Sequence, residues 1–170
     1  EHSLLTSGEA IADMLAQRGL EEHSGGYAYE ALFTDDAAPA GGQRATTVTV
    51  PFSNYKTGVF RYSPSSGLYL AEEYGEPYLD GNDGSQIGVT NLLVLQAVCT
   101  VVDDAGRIDV DLSSGSGWFA CGGKMIPIVW EKGGADQQLR YAQADGSPLA
   151  LGRGKSYVCI IPTSKTPTAE

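Results

Sequence analysis

A serine or cysteine nucleophile needs a base within hydrogen-bond reach, and the two histidines, His2 and His23, both precede the strand-rich part of the chain. A Cys121–His23 pair forms only if the N-terminal segment folds over the strand that carries Cys121. The phrase Gly115-Ser116-Gly117 lacks the strand-to-helix elbow that activates a serine, and reads as a turn. Asp109 and Asp111 alternate with Ile108, Val110 and Leu112, so both carboxylates point to one face, opposite the core. Residues i and i+2 of a strand lie about 6.5–7 Å apart, a separation that two-carboxylate glycoside hydrolysis accepts. That chemistry also needs a cleft and a sugar-stacking aromatic, so the plainer reading is a hydrated acidic face paired with Arg107 or Lys124.

Metal chemistry is similarly poorly provided for. Asp80, Asn82 and Asp83 have the oxygen ligands calcium takes, but they miss the alternating spacing of a calcium loop by one residue, so residues 80–85 read as a turn. The three cysteines, Cys99, Cys121 and Cys159, make no CxxC pair, which argues against a zinc site. In strands they serve as small buried hydrophobes, and at most one intrachain disulfide is possible, from three choices. No catalytic set, metal or cofactor is expected.

Binding has better material. Nine tyrosines occur in 170 residues. Tyr69, Tyr74 and Tyr78 fall in one segment flanked by Glu72, Glu73 and Glu76. Tyrosine suits a half-buried sheet face and equally a surface that binds sugars or proteins. This segment, with the Asp109–Asp111 face as a second candidate, is where a binding surface is expected. With 21 acidic against 11 basic residues the formal charge is −10. Such a surface repels nucleic-acid phosphates and anionic lipid, so nucleic acid is not an expected partner. No apolar run reaches the roughly 18 residues of a membrane span.

The elements that must position these residues are mostly strands. Thr6 and Glu9 have capping-box spacing. Ile11, Met14 and Leu15 follow at helical spacing, and Gly19 stops the helix. Its apolar stripe is expected to pack on a sheet. Residues 35–44 form a covering loop by composition. From residue 46 to 162, β-branched and aromatic segments alternate with Gly, Asn, Asp and Pro clusters. Residues 92–102 make the longest strand, expected to be central. Tight glycine turns imply antiparallel pairing of consecutive strands. The expected fold is mainly β (α+β): an antiparallel curved sheet, sandwich or open barrel of about nine strands with one N-terminal helix packed on it. Residues 1–45 supply helix and covering loop within the same domain, residues 46–162 the β domain, and residues 163–170 a tail expected to fray.

An ordered set of phrases carries a resemblance. Glu1-His2 with Thr6-Ser7-Gly8 opens it. Residues 48–53 (VTVPFS) with Tyr55, Tyr62-Ser63-Pro64 with Gly67-Leu68-Tyr69, and Gly75-Glu76-Pro77 ahead of Asp80 follow. Then come residues 91–94 (NLLV), 104–109 (DAGRID), Gly115-Ser116-Gly117, Gly123-Lys124, Trp130-Glu131-Lys132, residues 145–148 (DGSP) and Ile160-Ile161-Pro162. In this order the chain resembles the C-terminal half of the YerB-like lipoproteins, a domain of unknown function (family number 3048), over nearly all its length. The resemblance implies an exported protein of Gram-positive-type bacteria. It would be held on the outer face of the cytoplasmic membrane by a lipid on an N-terminal Cys upstream of these residues. It brings no established activity and no catalytic residues. The three cysteines and a strand after Gly117 that looks shorter than usual depart from the pattern. Free thiols sit poorly outside the cell, and a Cys121–Cys159 bridge between neighbouring strands would reconcile them with export. The expectation is a monomeric, non-enzymatic envelope domain that binds a protein partner or cell-wall polymer. A hydrolase or transferase using surface carboxylates, and a structural domain completing a two-domain lipoprotein, are the alternatives.

Overall fold

The computed structural model describes residues 6–22, 31–134 and 137–170. The chain divides into two compact units, Glu1–Glu30 and Ala31–Glu170.

The first unit contains α1 (Gly8–Arg18). Ser7, one residue after the expected Thr6, is the N-cap, and its Oγ accepts the Ala10 N–H at 3.1 Å. Gly19 ends the helix with φ 63°, as its lack of a Cβ permits. None of the helix's residues is buried. Ile11, at 44% exposed, and Met14 form the apolar stripe of this helix.

The second unit is built from strands. β1 (Leu32–Thr34) and β2 (Gln43–Arg44) bracket the covering loop. β3 (Thr47–Pro51), β4 (Thr57–Ser63), β5 (Leu68–Glu73), β6 (Glu76–Pro77) and β7 (Gly88–Val89) lead to the long β8 (Asn91–Val101). β9 (Ile108–Asp111), β10 (Ser114–Cys121) and β11 (Lys124–Glu131) follow. β12 (Arg140–Gln143), β13 (Ala150–Gly152), β14 (Ser156–Pro162) and β15 (Thr168–Ala169) complete the described strands. The surplus over the nine expected consists mainly of segments of two to four residues.

Two main sheets form, and neither closes into a barrel. One has the order β15-β3-β4-β5-β6, with β7 also on β5. The other runs β12-β11-β10-β8-β14, with β2 on β11 and β9 on β8. Val48, Val50, Phe60, Tyr69 and Ala71 of the first sheet meet Leu92, Val94, Met125, Cys159 and Ile161 of the second in one core. The second sheet's other face makes a separate core from Leu93, Leu95, Phe119, Ile128 and Trp130, covered by Leu149, Leu151 and Ala37. Burial on both faces explains why Asn91–Leu95 is continuously buried instead of alternating.

The pairing is mostly antiparallel, but β14 lies parallel to β8, from Ser156↔Asn91 to Pro162↔Ala97. The chain leaves β12 at one edge, crosses the outer core through Leu149 and Leu151, and returns at the other edge. A parallel neighbour requires such a crossover. Asn91, fully buried, holds this return in place. Its amide donates to Gly152 O and accepts Gly152 N–H, both at 2.8 Å.

Several expectations are corrected. Gly115 and Gly117 lie inside β10, not in a turn. A Cβ on Gly117 would stand 2.5 Å from Val94 O, and one on Gly115 would meet Gln96 O at 2.4 Å. Glycine there admits the β8 backbone. The tail does not fray: β15 pairs with β3, and Ala169 packs on the first core. The three cysteines are free thiols, as expected of small hydrophobes placed in strands, and only the alternative Cys121–Cys159 bridge is not made. Cys121 and Cys159 lie in different cores, on strands separated by β8. Two strand spacings are about 10 Å, beyond the roughly 7 Å a disulfide spans.

Candidate functional site

Alternation along β5 turns Tyr69, Ala71 and Glu73 towards the first core, while Leu68, Leu70 and Glu72 face away. The strand ends in a two-residue turn, Tyr74-Gly75, with φ 53° and 83°. Positive φ at both positions suits the right-handed twist of a hairpin and is usually supplied by Asn-Gly or Gly-Gly. Among the described residues Tyr74 is the one non-glycine with positive φ. Its side chain is 75% exposed, so no packing compensates for the conformation.

Glu73 carries the inner face of β5 to the end of the sandwich. It accepts an ion pair from Lys56 Nζ at 3.3 Å. This bond is the main cause that raises the Lys56 pKa above its ordinary 10.5. The Lys56 ammonium also lies 5.7 Å from the centre of the Phe52 ring. From the opposing sheet Tyr157 points to the same end. Its ring meets Phe60 edge-on at 5.0 Å, burial raises its hydroxyl pKa, and Glu73, Tyr78 and Lys56 lie within electrostatic reach. Tyr78 follows β6, fixed by its N–H to Ala71 O at 2.9 Å, with its ring partly open. Tyr74, Tyr78 and Tyr157 thus stand with one lysine–glutamate pair at a single rim of the sandwich.

Of the residues expected to bind, Tyr74 and Tyr78 belong to this rim and Tyr69 does not. Tyr69 is buried, stacks obliquely on Tyr62 at 5.3 Å and donates its hydroxyl to Ala45 O at 2.9 Å. Burial pushes its pKa well above 10.0. Lys56 and Tyr157 were not expected at the site. The alternation of Tyr157, Cys159 and Ile161 is a signal that would have set Tyr157 on the inner face.

Asp109 and Asp111 lie on the other sheet, on a face of β9 opposite Thr100 and Val98. The expected core face behind them is not core: Ile108 and Val110 are exposed. Hydrogen bonds from the Ser113 hydroxyl and N–H hold the Asp111 carboxyl below its ordinary range. Arg107 pairs with Asp103 instead. Trp118, the aromatic a sugar site would want near them, packs on the first core. In the 80–85 turn, Asp80 Oδ1 accepts the Asn82 N–H at 2.8 Å and Asp83 Oδ1 the Ser85 N–H at 2.8 Å. Cys121 is buried, which pushes its thiol up and away from the nucleophilic thiolate. His2, His23, Tyr27 and Tyr29 lie outside the described residues. Among the described residues no group of three or more His, Cys, Asp or Glu could hold a metal ion, and no helix is long and apolar enough to cross a membrane.

The fold has a solved counterpart. The crystal structure of YerB protein from Bacillus subtilis superposes with a TM-score of 0.79 at 21% identity, over 97% of this chain and 54% of that one. The Bacillus subtilis (strain 168) protein named "Putative lipoprotein YerB" is 25% identical over 166 residues, 95% of this chain and 48% of its own length. The chain therefore spans about half the length of the relatives it matches. The model of the family described as "Protein of unknown function (DUF3048) C-terminal domain" matches residues 48–158, and the chain belongs to that family.

Proposed function

We propose that this chain is a non-enzymatic domain of a membrane-anchored envelope lipoprotein, and that it binds a protein partner through the rim of Tyr74, Tyr78 and Tyr157. The likeness to a relative named a putative lipoprotein supports the envelope setting. The observation that carries the binding role is Tyr74. A bulky L residue in the left-handed region costs about 1–2 kcal/mol, and strain of this kind gathers where a side chain serves a purpose other than folding. Tyrosine on an exposed tip, beside a charged pair, is the composition of a protein-binding hot spot. The −10 charge disfavours anionic wall polymers and favours a partner with a basic patch.

Tyr74→Asn separates the two roles of this residue. Asparagine tolerates the turn, so the variant should melt about 1–4 °C higher, while retention of solubilised envelope proteins on the immobilised chain falls about tenfold or more. Unchanged retention would contradict the proposal, as would retention on purified cell walls in place of envelope protein.

A further inference from the structure

Beyond Ala97 the chain forms a two-stranded arm. Val98↔Asp111, Cys99↔Val110, Thr100↔Asp109 and Val101↔Ile108 pair β8 with β9. The next pairing towards the body is Gly117↔Leu95. Five residues on one strand, 112–116, thus oppose two on the other, 96 and 97, and this surplus makes a bulge that sets the arm off from the sheet. β14 leaves β8 at Ala97 and β11 leaves β10 at Ser114, so neither flanks the arm. No residue from 98 to 111 is buried.

The register puts Cys99, Val101, Ile108 and Val110 on one face. Val101 and Ile108 are 63% and 60% exposed, and Val98 and Val102 are also open. β-branched side chains on a ribbon of only two strands gain little in water, and an apolar strand edge of this kind invites another strand. Asp103, Asp104, Asp109 and Asp111 border it, with Arg107 already bound to Asp103. This acidity, on a chain of charge −10, opposes a second copy or an anionic membrane. It suits an apolar strand that carries basic side chains. The relatives are about twice as long as this chain, and the matched family is a C-terminal domain.

We propose that the β8–β9 arm is the docking edge for the domain that precedes this one in full-length members of the family, which adds a basic, apolar strand to β9. The arm belongs to the other sheet from the Tyr74 rim, so this proposal stands or falls apart from the binding role proposed there. Hydrogen–deuterium exchange on the 170-residue chain and on the full-length protein tests it. The amides of Ile108–Asp111 should exchange about tenfold or more slowly in the full-length form. Val101→Asp with Ile108→Asp should abolish that difference while leaving the melting temperature of the 170-residue chain within about 2 °C, as exposed sites allow. Equal exchange in both forms overturns the proposal. So does protection of the arm by dimerisation of the 170-residue chain, or a gene that encodes no domain ahead of these residues.

Discussion

Tyr69 and Tyr74 sit five positions apart in one glutamate-rich segment, and their environments are opposite. Residue type could not separate them, because tyrosine fits both a core with one polar partner and an exposed contact surface. The separation comes from strand period and turn position. Tyr69 falls on the inward beat of β5, and Tyr74 falls on the turn beyond it. The buried thiol of Cys159 gives a prediction of its own. Burial pushes its pKa from 9.0 to about 12. Above pH 9 the unfolded thiol ionises while the folded one stays protonated. Its stabilising contribution is therefore complete below pH 9 and is lost as pH rises through 12, with buried Tyr69 acting in the same direction from 10.0. Urea denaturation between pH 8 and 10.5 should show stability falling with pH. In Cys159→Ala the slope should be shallower by up to about 1.4 kcal/mol per pH unit. An unchanged slope would place the thiol in contact with solvent.

Strand identity was largely legible in the chain, and strand ends were not. Alternation and glycine turns marked β3, β4, β5, β8 and β11, because each buries at least one face. Gly115 and Gly117 looked like punctuation, since a turn and a close backbone approach both call for glycine. Only the neighbouring Gln96 and Val94 carbonyls distinguish the two. Gly117→Ala should therefore destabilise by about 1–3 kcal/mol, read as a drop in thermal melting. Gly81→Ala, where nothing lies within 4 Å of a new Cβ, should change stability by less than about 0.5 kcal/mol. The last eight residues misled for a different reason: their polar, proline-containing composition carries no sign of the partner strand. Gln96 Nε2 donates to Lys165 O at 2.6 Å, Thr46 Oγ1 to Glu170 O at 2.8 Å, and Glu170 N to Thr47 O at 3.0 Å. Removing residues 163–170 should cost about 2–4 kcal/mol and lower the melting temperature by about 5–15 °C. A smaller loss would mean the strand adds little.

Taken whole, the second unit is a sandwich with an additional layer. Its second sheet is covered on both faces, by the first sheet on one side and by Leu149, Leu151 and Ala37 on the other. The two-sided sheet could be suspected from the unbroken run of β8. The parallel return of β14 could not, because tight glycine turns imply antiparallel neighbours and give no sign of a crossover. The candidate site was half legible: its tyrosines were visible as a group, but Lys56 and Tyr157 join them only when two sheets bring distant segments to one rim. Exposed chemistry is concentrated at that rim and at the β8–β9 arm. The most direct measurement places a photo-crosslinking amino acid at position 74, 78 or 109 of the full-length protein in its native cells. Crosslinking from 74 and 78 to one discrete envelope protein, with none from 109, is the predicted result. No discrete adduct from 74 or 78, or the same adduct from all three positions, would contradict a binding surface built on Tyr74.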